Sequence, residues 1–136
     1  MLSAFPLTLI PLVLFNIMAL LAGSGVWTEE ILAIPMAAGL WTVTWGDLMV
    51  LLGLVMLFFE MLKSARPAQR TIANHLASTA VLIVYIIEFV LAGIADNSTF
   101  FILTVISVFD VAAGFTISIR TASRDVTYTR DGGGVV

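Results

Sequence analysis

Two carboxyl residues sit where a carboxyl is costly. Asp110 lies near the middle of an apolar run over 98–119, and Glu88 lies inside another over 71–95. An ionised Asp at the centre of a helix in hydrocarbon costs about 2.5–3.5 kcal/mol, and such residues mark proton relays, cation paths or buried polar contacts. No Lys or Arg falls at their depth, and two carboxylates in a low dielectric repel. Both are therefore expected to be protonated and to donate hydrogen bonds, to each other or to Ser107, Tyr85 or Asn16. Three roles stay open. They are a hydrogen-bonded pair that keeps helices in register, a contact with a cation on a partner protein, and a proton or cation pathway.

Other reactive residues are few. Glu60 and Lys63 stand at i, i+3 near the end of an apolar segment and are expected to form an interfacial ion pair with a snorkelling lysine. The single histidine, His75, follows Asn74 at the start of the next apolar run and reads as an interfacial residue. The chain has no cysteine, so thiolate chemistry is excluded. Walker, dinucleotide, H-E-x-x-H and G-x-S-x-G motifs are absent, and no basic groove supports nucleic-acid binding. The residues give no reason to expect an enzyme, a cofactor or a metal site.

The elements that must position the two carboxyls follow from composition. Of 136 residues, 60% are hydrophobic and 11% charged, and the mean hydropathy is +1.10. A soluble domain carries about 25% charged residues, so an ordinary soluble enzyme is excluded, as are a disordered chain and a disulfide scaffold. About 20 apolar residues in a helix cross the ~30 Å hydrocarbon layer. Four segments qualify, at 5–22, 46–62, 71–95 and 98–119. The expected fold class is an all-α membrane protein, a bundle of four transmembrane helices in a single domain over 1–120. A flexible cytoplasmic tail over 121–136 is expected to follow. The first segment has no basic residue before it and no A-x-A site after it, so it reads as a retained helix rather than a secretory signal.

Lys63, Arg66 and Arg70 lie between the second and third segments, and Arg120, Arg124 and Arg130 follow the fourth. The other two connections carry only acidic residues, Glu29, Glu30 and Asp96, with Asp47 opening the second segment. The positive-inside rule then puts both termini in the cytoplasm. Lys63, Arg66, Arg70, Arg120 and Arg124 are expected to set topology and to meet anionic lipid headgroups at about 1 kcal/mol each.

The short connection at Asp96 and Asn97 makes the third and fourth segments antiparallel neighbours. The connection 23–45 is too apolar for a solvated loop. Its Trp41, Val43 and Trp45 alternate with Thr42 and Thr44, which reads as a strand, and Ala38-Gly39 offers a turn. A short β-hairpin capping the extracytoplasmic end is expected, with an interfacial helix broken at Pro35 as the alternative. Trp27, Trp41 and Trp45 all fall in this connection and read as an interfacial aromatic belt.

Helical spacing gathers the small and polar residues into stripes. They are Phe15, Asn16, Ala19 and Gly23 on the first segment and Met49, Gly53, Met56 and Glu60 on the second. The third carries Asn74, Ser78, Val81, Tyr85, Glu88 and Ala92, and the fourth Leu103, Ser107, Asp110 and Gly114. Such faces let helices approach closely in lipid, so the four are expected to converge on the bundle interior.

The opening MLSAFPLTLIPL and the stretches LWTVTWGDLMVLLGLVMLFFEMLKSAR and STFFILTVISVFDVAAGFTISIRTASRD resemble a set of uncharacterised small four-helix inner-membrane proteins of alphaproteobacteria. The resemblance covers nearly the whole chain. It implies a bacterial inner (plasma) membrane and a four-helix fold, and it implies no activity. The chain does not resemble the small multidrug exporters, which place an essential Glu in the first helix, where this chain has only Asn16.

Two functions compete at this stage. One is a non-enzymatic accessory or scaffold subunit, in contact with the lipid bilayer and with other membrane subunits or copies of itself. The other is a small proton-linked transporter or channel that uses Asp110 and Glu88.

Overall fold

The computed structural model describes residues 5–64 and 71–131, with side chains over 5–64 and 73–120. The element order is α1 (Leu9–Ala22), a 3-10 turn (Ser24–Thr28), β1 (Glu30–Met36), β2 (Gly39–Thr44), α2 (Trp45–Ser64), α3 (Thr71–Leu91), a second 3-10 turn (Gly93–Ala95) and α4 (Ser98–Asp131). The chain is mostly helical, and α2, α3 and α4 are long and apolar enough to cross a membrane.

The first segment falls short of the transmembrane helix expected over 5–22. It yields a helix of only 14 residues, a rise of about 21 Å. Residues 6–8 form turns instead, with Leu9 N–H donating to Pro6 C=O at 3.2 Å and Ile10 N–H to Leu7 C=O at 3.0 Å. Pro11 falls in the first turn of α1, where its missing N–H has no helical partner to lose. The helix stops at Gly23, whose φ of +87° suits a residue without Cβ and whose N–H returns to Ala19 C=O.

The β-hairpin forms, and the alternative interfacial helix does not. The strands pair antiparallel from Met36 opposite Gly39 to Glu30 opposite Thr44, with Ile31 left out at a bulge. The loop is Ala37-Ala38, one residue earlier than the expected turn, and Gly39 opens β2 at φ +147°. Pro35 sits opposite Leu40, in a strand whose other edge is free, where a missing N–H costs no ladder bond. β2 runs straight into α2 through a capping box. Thr44 N–H and Oγ1 donate to Asp47 Oδ2 at 2.8 and 2.9 Å, and Asp47 N–H returns to Thr44 Oγ1 at 3.2 Å.

Two other boundaries shift. α3 stops at Leu91 rather than near 95, because the chain turns at Gly93. Asn97 then caps α4, its Oδ1 accepting from Phe100 N–H at 2.9 Å. The fourth segment was expected to end near Ile119. Its backbone stays helical to Asp131, because neither Gly nor Pro occurs between Ile119 and Gly132.

Inside the bundle α4 packs against both α2 and α3, and α1 lies against α2. Of the expected stripes, Phe15 and Ala19 on α1, Met49, Gly53 and Glu60 on α2, Asn74, Ser78, Val81 and Tyr85 on α3, and Leu103, Ser107, Asp110 and Gly114 on α4 face inward. Asn16, Met56, Glu88 and Ala92 are half-buried, and Gly23, where the chain leaves α1, is exposed. Gly46 permits the closest approach. A Cβ there would lie 2.6 Å from Thr99 Oγ1 and 2.7 Å from the Trp27 carbonyl.

The end of the bundle next to the hairpin is closed by aromatic rings. Phe15 stacks on Trp27 at 4.3 Å and meets Phe100 edge-on at 4.8 Å, and Tyr85 lies 5.4 Å from Phe100. Trp27 therefore departs from the expected aromatic belt: it is 3% exposed and belongs to the core. Trp41 and Trp45 are exposed, as are the outward Leu20, Leu51, Phe58, Ile83, Val90 and Phe109.

Candidate functional site

The polar interior is organised around residues 5–8, the stretch that precedes α1. A non-helical backbone inside an apolar bundle exposes N–H and C=O groups that need partners. Side chains from α2 and α3 supply them. Glu60 Oε2 accepts from Leu7 N–H at 3.0 Å. Lys63 Nζ donates to Phe5 C=O at 2.7 Å, and Tyr85 OH donates to Thr8 C=O at 3.0 Å. α4 takes the side chain, as Thr8 Oγ1 donates to Asp110 Oδ2 at 3.1 Å. Three helices thus clasp Phe5, Leu7 and Thr8.

Glu60 is the hub of this clasp. Its Oε1 accepts from Lys63 Nζ at 2.8 Å and from Asn74 Nδ2 at 2.7 Å. The ion pair expected from the i, i+3 spacing is present, but Glu60 is 1% exposed, so it is a core residue rather than an interfacial one. Sequence spacing pointed to Lys63 and gave no sign of Asn74 or Leu7.

The carboxyls at Asp110 and Glu88 are separate. Asp110 is buried and interacts with the hydroxyls of Thr8 and Ser78. Glu88 pairs with Asn16, whose Nδ2 also donates to Leu12 C=O at 3.1 Å. No hydrogen bond joins the two carboxyls among the described residues.

Ser107 is fully buried, and its Oγ is without a partner, as is Glu88 Oε1. The neighbouring hydroxyls of Thr104 and Ser118 donate to the carbonyl four residues back, a bond Ser107 does not make. Tyr85, expected as a partner for the carboxyls, instead holds the Thr8 carbonyl.

His75 is buried too, not interfacial as read from sequence. Its Nε2 contacts Ser118 Oγ, and its ring lies over Phe115 at 5.5 Å. Gly114 makes the space, since a Cβ there would come within 2.7 Å of the imidazole. The burial of His75 could not be inferred from its own surroundings in sequence. Gly114, opposite it on α4, was the available signal.

Arg66 and Arg70, assigned to topology and lipid contact, lie outside the described residues, as does the side chain of Arg124. Arg120 lies within α4 and is exposed. Among the described residues no group of three or more His, Cys, Asp or Glu is placed to hold a metal ion. A shallow apolar groove of about 190 Å³ runs between α1 and α2, lined by Leu14, Met18, Trp45, Leu48, Met49 and Leu52.

Comparisons with protein-family models, with curated proteins and with solved structures found no match.

Proposed function

We propose that this chain is a small polytopic protein of a bacterial inner membrane with both termini in the cytoplasm. We further propose that it acts as a non-enzymatic accessory or scaffold subunit packed against a larger membrane complex. One observation carries the reading. The buried polar side chains Glu60, Tyr85 and Asp110 fasten the protein's own residues 7 and 8, while the outward helix faces are apolar. Polar groups committed to internal bonds are not free for substrate, and an apolar exterior suits lipid or neighbouring helices.

The short α1 fits a fourth crossing. Its start is tied to Glu60 near the end of α2, and its Phe15 reaches Phe100 near the start of α4. Irregular backbone at membrane depth is tolerated where protein groups satisfy it, and the clasp does so for residues 5–8.

Extraction from native membranes in mild detergent, followed by identification of co-purifying proteins, tests the role. A stable heteromeric partner is expected. A chain that runs alone would overturn it.

The second reading, a proton-linked transporter or channel, is favoured by the unpartnered Ser107 Oγ and Glu88 Oε1 on the interior faces of α3 and α4. It requires flux through the purified protein in liposomes that Asp110→Asn abolishes with the fold intact.

A further inference from the structure

We infer that the groove between α1 and α2 is a binding site for one acyl chain of a phospholipid whose headgroup carries an ammonium. The inference rests on the membrane reading above.

The lining is wholly apolar, and its long side chains, Leu14, Met18, Leu48 and Leu52, leave about 190 Å³ between them. Small-molecule sites enclose about 300–1,000 Å³, so this groove takes a segment of chain rather than a whole ligand. A second helix is a poor occupant. Helices associate in lipid through small residues that let backbones meet, and no Gly, Ala or Ser lines the groove. The small residues of α2 are already used, with Gly46 against Thr99 and Trp27, and Gly53 against Leu103 and Ile106. Flexible Leu and Met side chains instead conform to a flexible chain.

The rim identifies the headgroup. Trp45 lies at the hairpin end of the groove, half-exposed, and its backbone N–H donates to Glu29 C=O at 3.2 Å. Glu29, Glu30 and Asp47 are all exposed at this end, and no Lys or Arg occurs anywhere in 1–62. That charge complements an ammonium and repels an anionic headgroup. Phosphatidylethanolamine has the required chemistry, and phosphatidylglycerol is the contrast.

The test is native mass spectrometry and lipid extraction of protein purified from membranes containing both lipids. Wild-type protein is expected to retain one phosphatidylethanolamine per chain. Leu14→Phe with Leu48→Phe, which fills the groove from its two exposed leucines, is expected to lose it. Glu29→Gln with Glu30→Gln is expected to keep a lipid but lose the headgroup preference. Absence of retained lipid in the wild type, or lipid retention unchanged by groove filling, overturns the inference. So does a change of oligomeric state on groove filling, which would make the groove a protein interface. Alkaline carbonate washing of the same membranes separates the two readings. A chain that washes off defeats the membrane reading, whereas one that stays without lipid defeats the site alone.

Discussion

Glu60 accepts hydrogen bonds from the Leu7 backbone, the Lys63 ammonium and the Asn74 amide. Its removal leaves the Leu7 N–H and the Asn74 amide without this acceptor and Lys63 with the Phe5 carbonyl alone. Breaking a buried pair by deleting one partner costs about 3–5 kcal/mol. Glu60→Ala is therefore expected to lower unfolding stability in mixed micelles by roughly 3 kcal/mol. Glu60→Gln should cost less, because an amide still offers one acceptor. A loss within the ~0–1 kcal/mol of exposed ion pairs would show that Glu60 is not the hub. Thr8→Val tests the neighbouring bond. It deletes the hydroxyl given to Asp110 but spares the carbonyl held by Tyr85, so a loss of about 1–2 kcal/mol is expected. Combined with Asp110→Asn in a double-mutant cycle, the two changes should be non-additive, as contacting residues are.

At the scale of elements, the fit of α2 against the start of α4 depends on Gly46. A methyl group there meets the Trp27 carbonyl, a backbone atom that no rotamer change can move aside. Gly46→Ala should cost on the order of 1–3 kcal/mol through overpacking, read by thermal unfolding. Gly25→Ala, with nothing within 4 Å of the added carbon, serves as the harmless control. Equal behaviour of the two would count against the close approach.

The same elements explain what the sequence could reveal. The inward faces of α2, α3 and α4 were legible, because each repeats its small and polar residues at helical spacing. The hairpin was legible because Trp41 to Trp45 alternate. The start of α1 was not, because its partners Glu60, Tyr85 and Asp110 are separated from it by 53, 77 and 102 residues. Periodicity reports which face a residue shares with its neighbours and carries no information on distant partners. Trp27 was misplaced for the same reason. Its partner Phe15 lies in another element, and an aromatic residue in an apolar loop reads alike whether it stacks on a ring or faces lipid.

For the whole molecule, the open question is which way the bundle faces, and the lack of cysteine makes it simple to address. Single cysteines at Gly25 and Asp96, both exposed, should react with a membrane-impermeant thiol reagent applied to the side proposed to be extracytoplasmic. A cysteine at Ser64 should react only after the membrane is permeabilised. The reverse pattern would invert the proposed topology. The clasp over residues 5–8 also has a consequence for the order in which the protein is built. Residues 5–8 leave the ribosome well before the side chains that fasten them, the last of which is Asp110. Until α4 has been synthesised and docked, the Thr8 hydroxyl lacks its acceptor and the clasp is held by α2 and α3 alone. A nascent or truncated chain that stops short of Asp110 therefore carries part of its defect far from the break, at Thr8, whose hydroxyl is left without its acceptor. In the folded protein the Thr8 hydroxyl is held by Asp110, so closure of that stretch reports that α4 is docked.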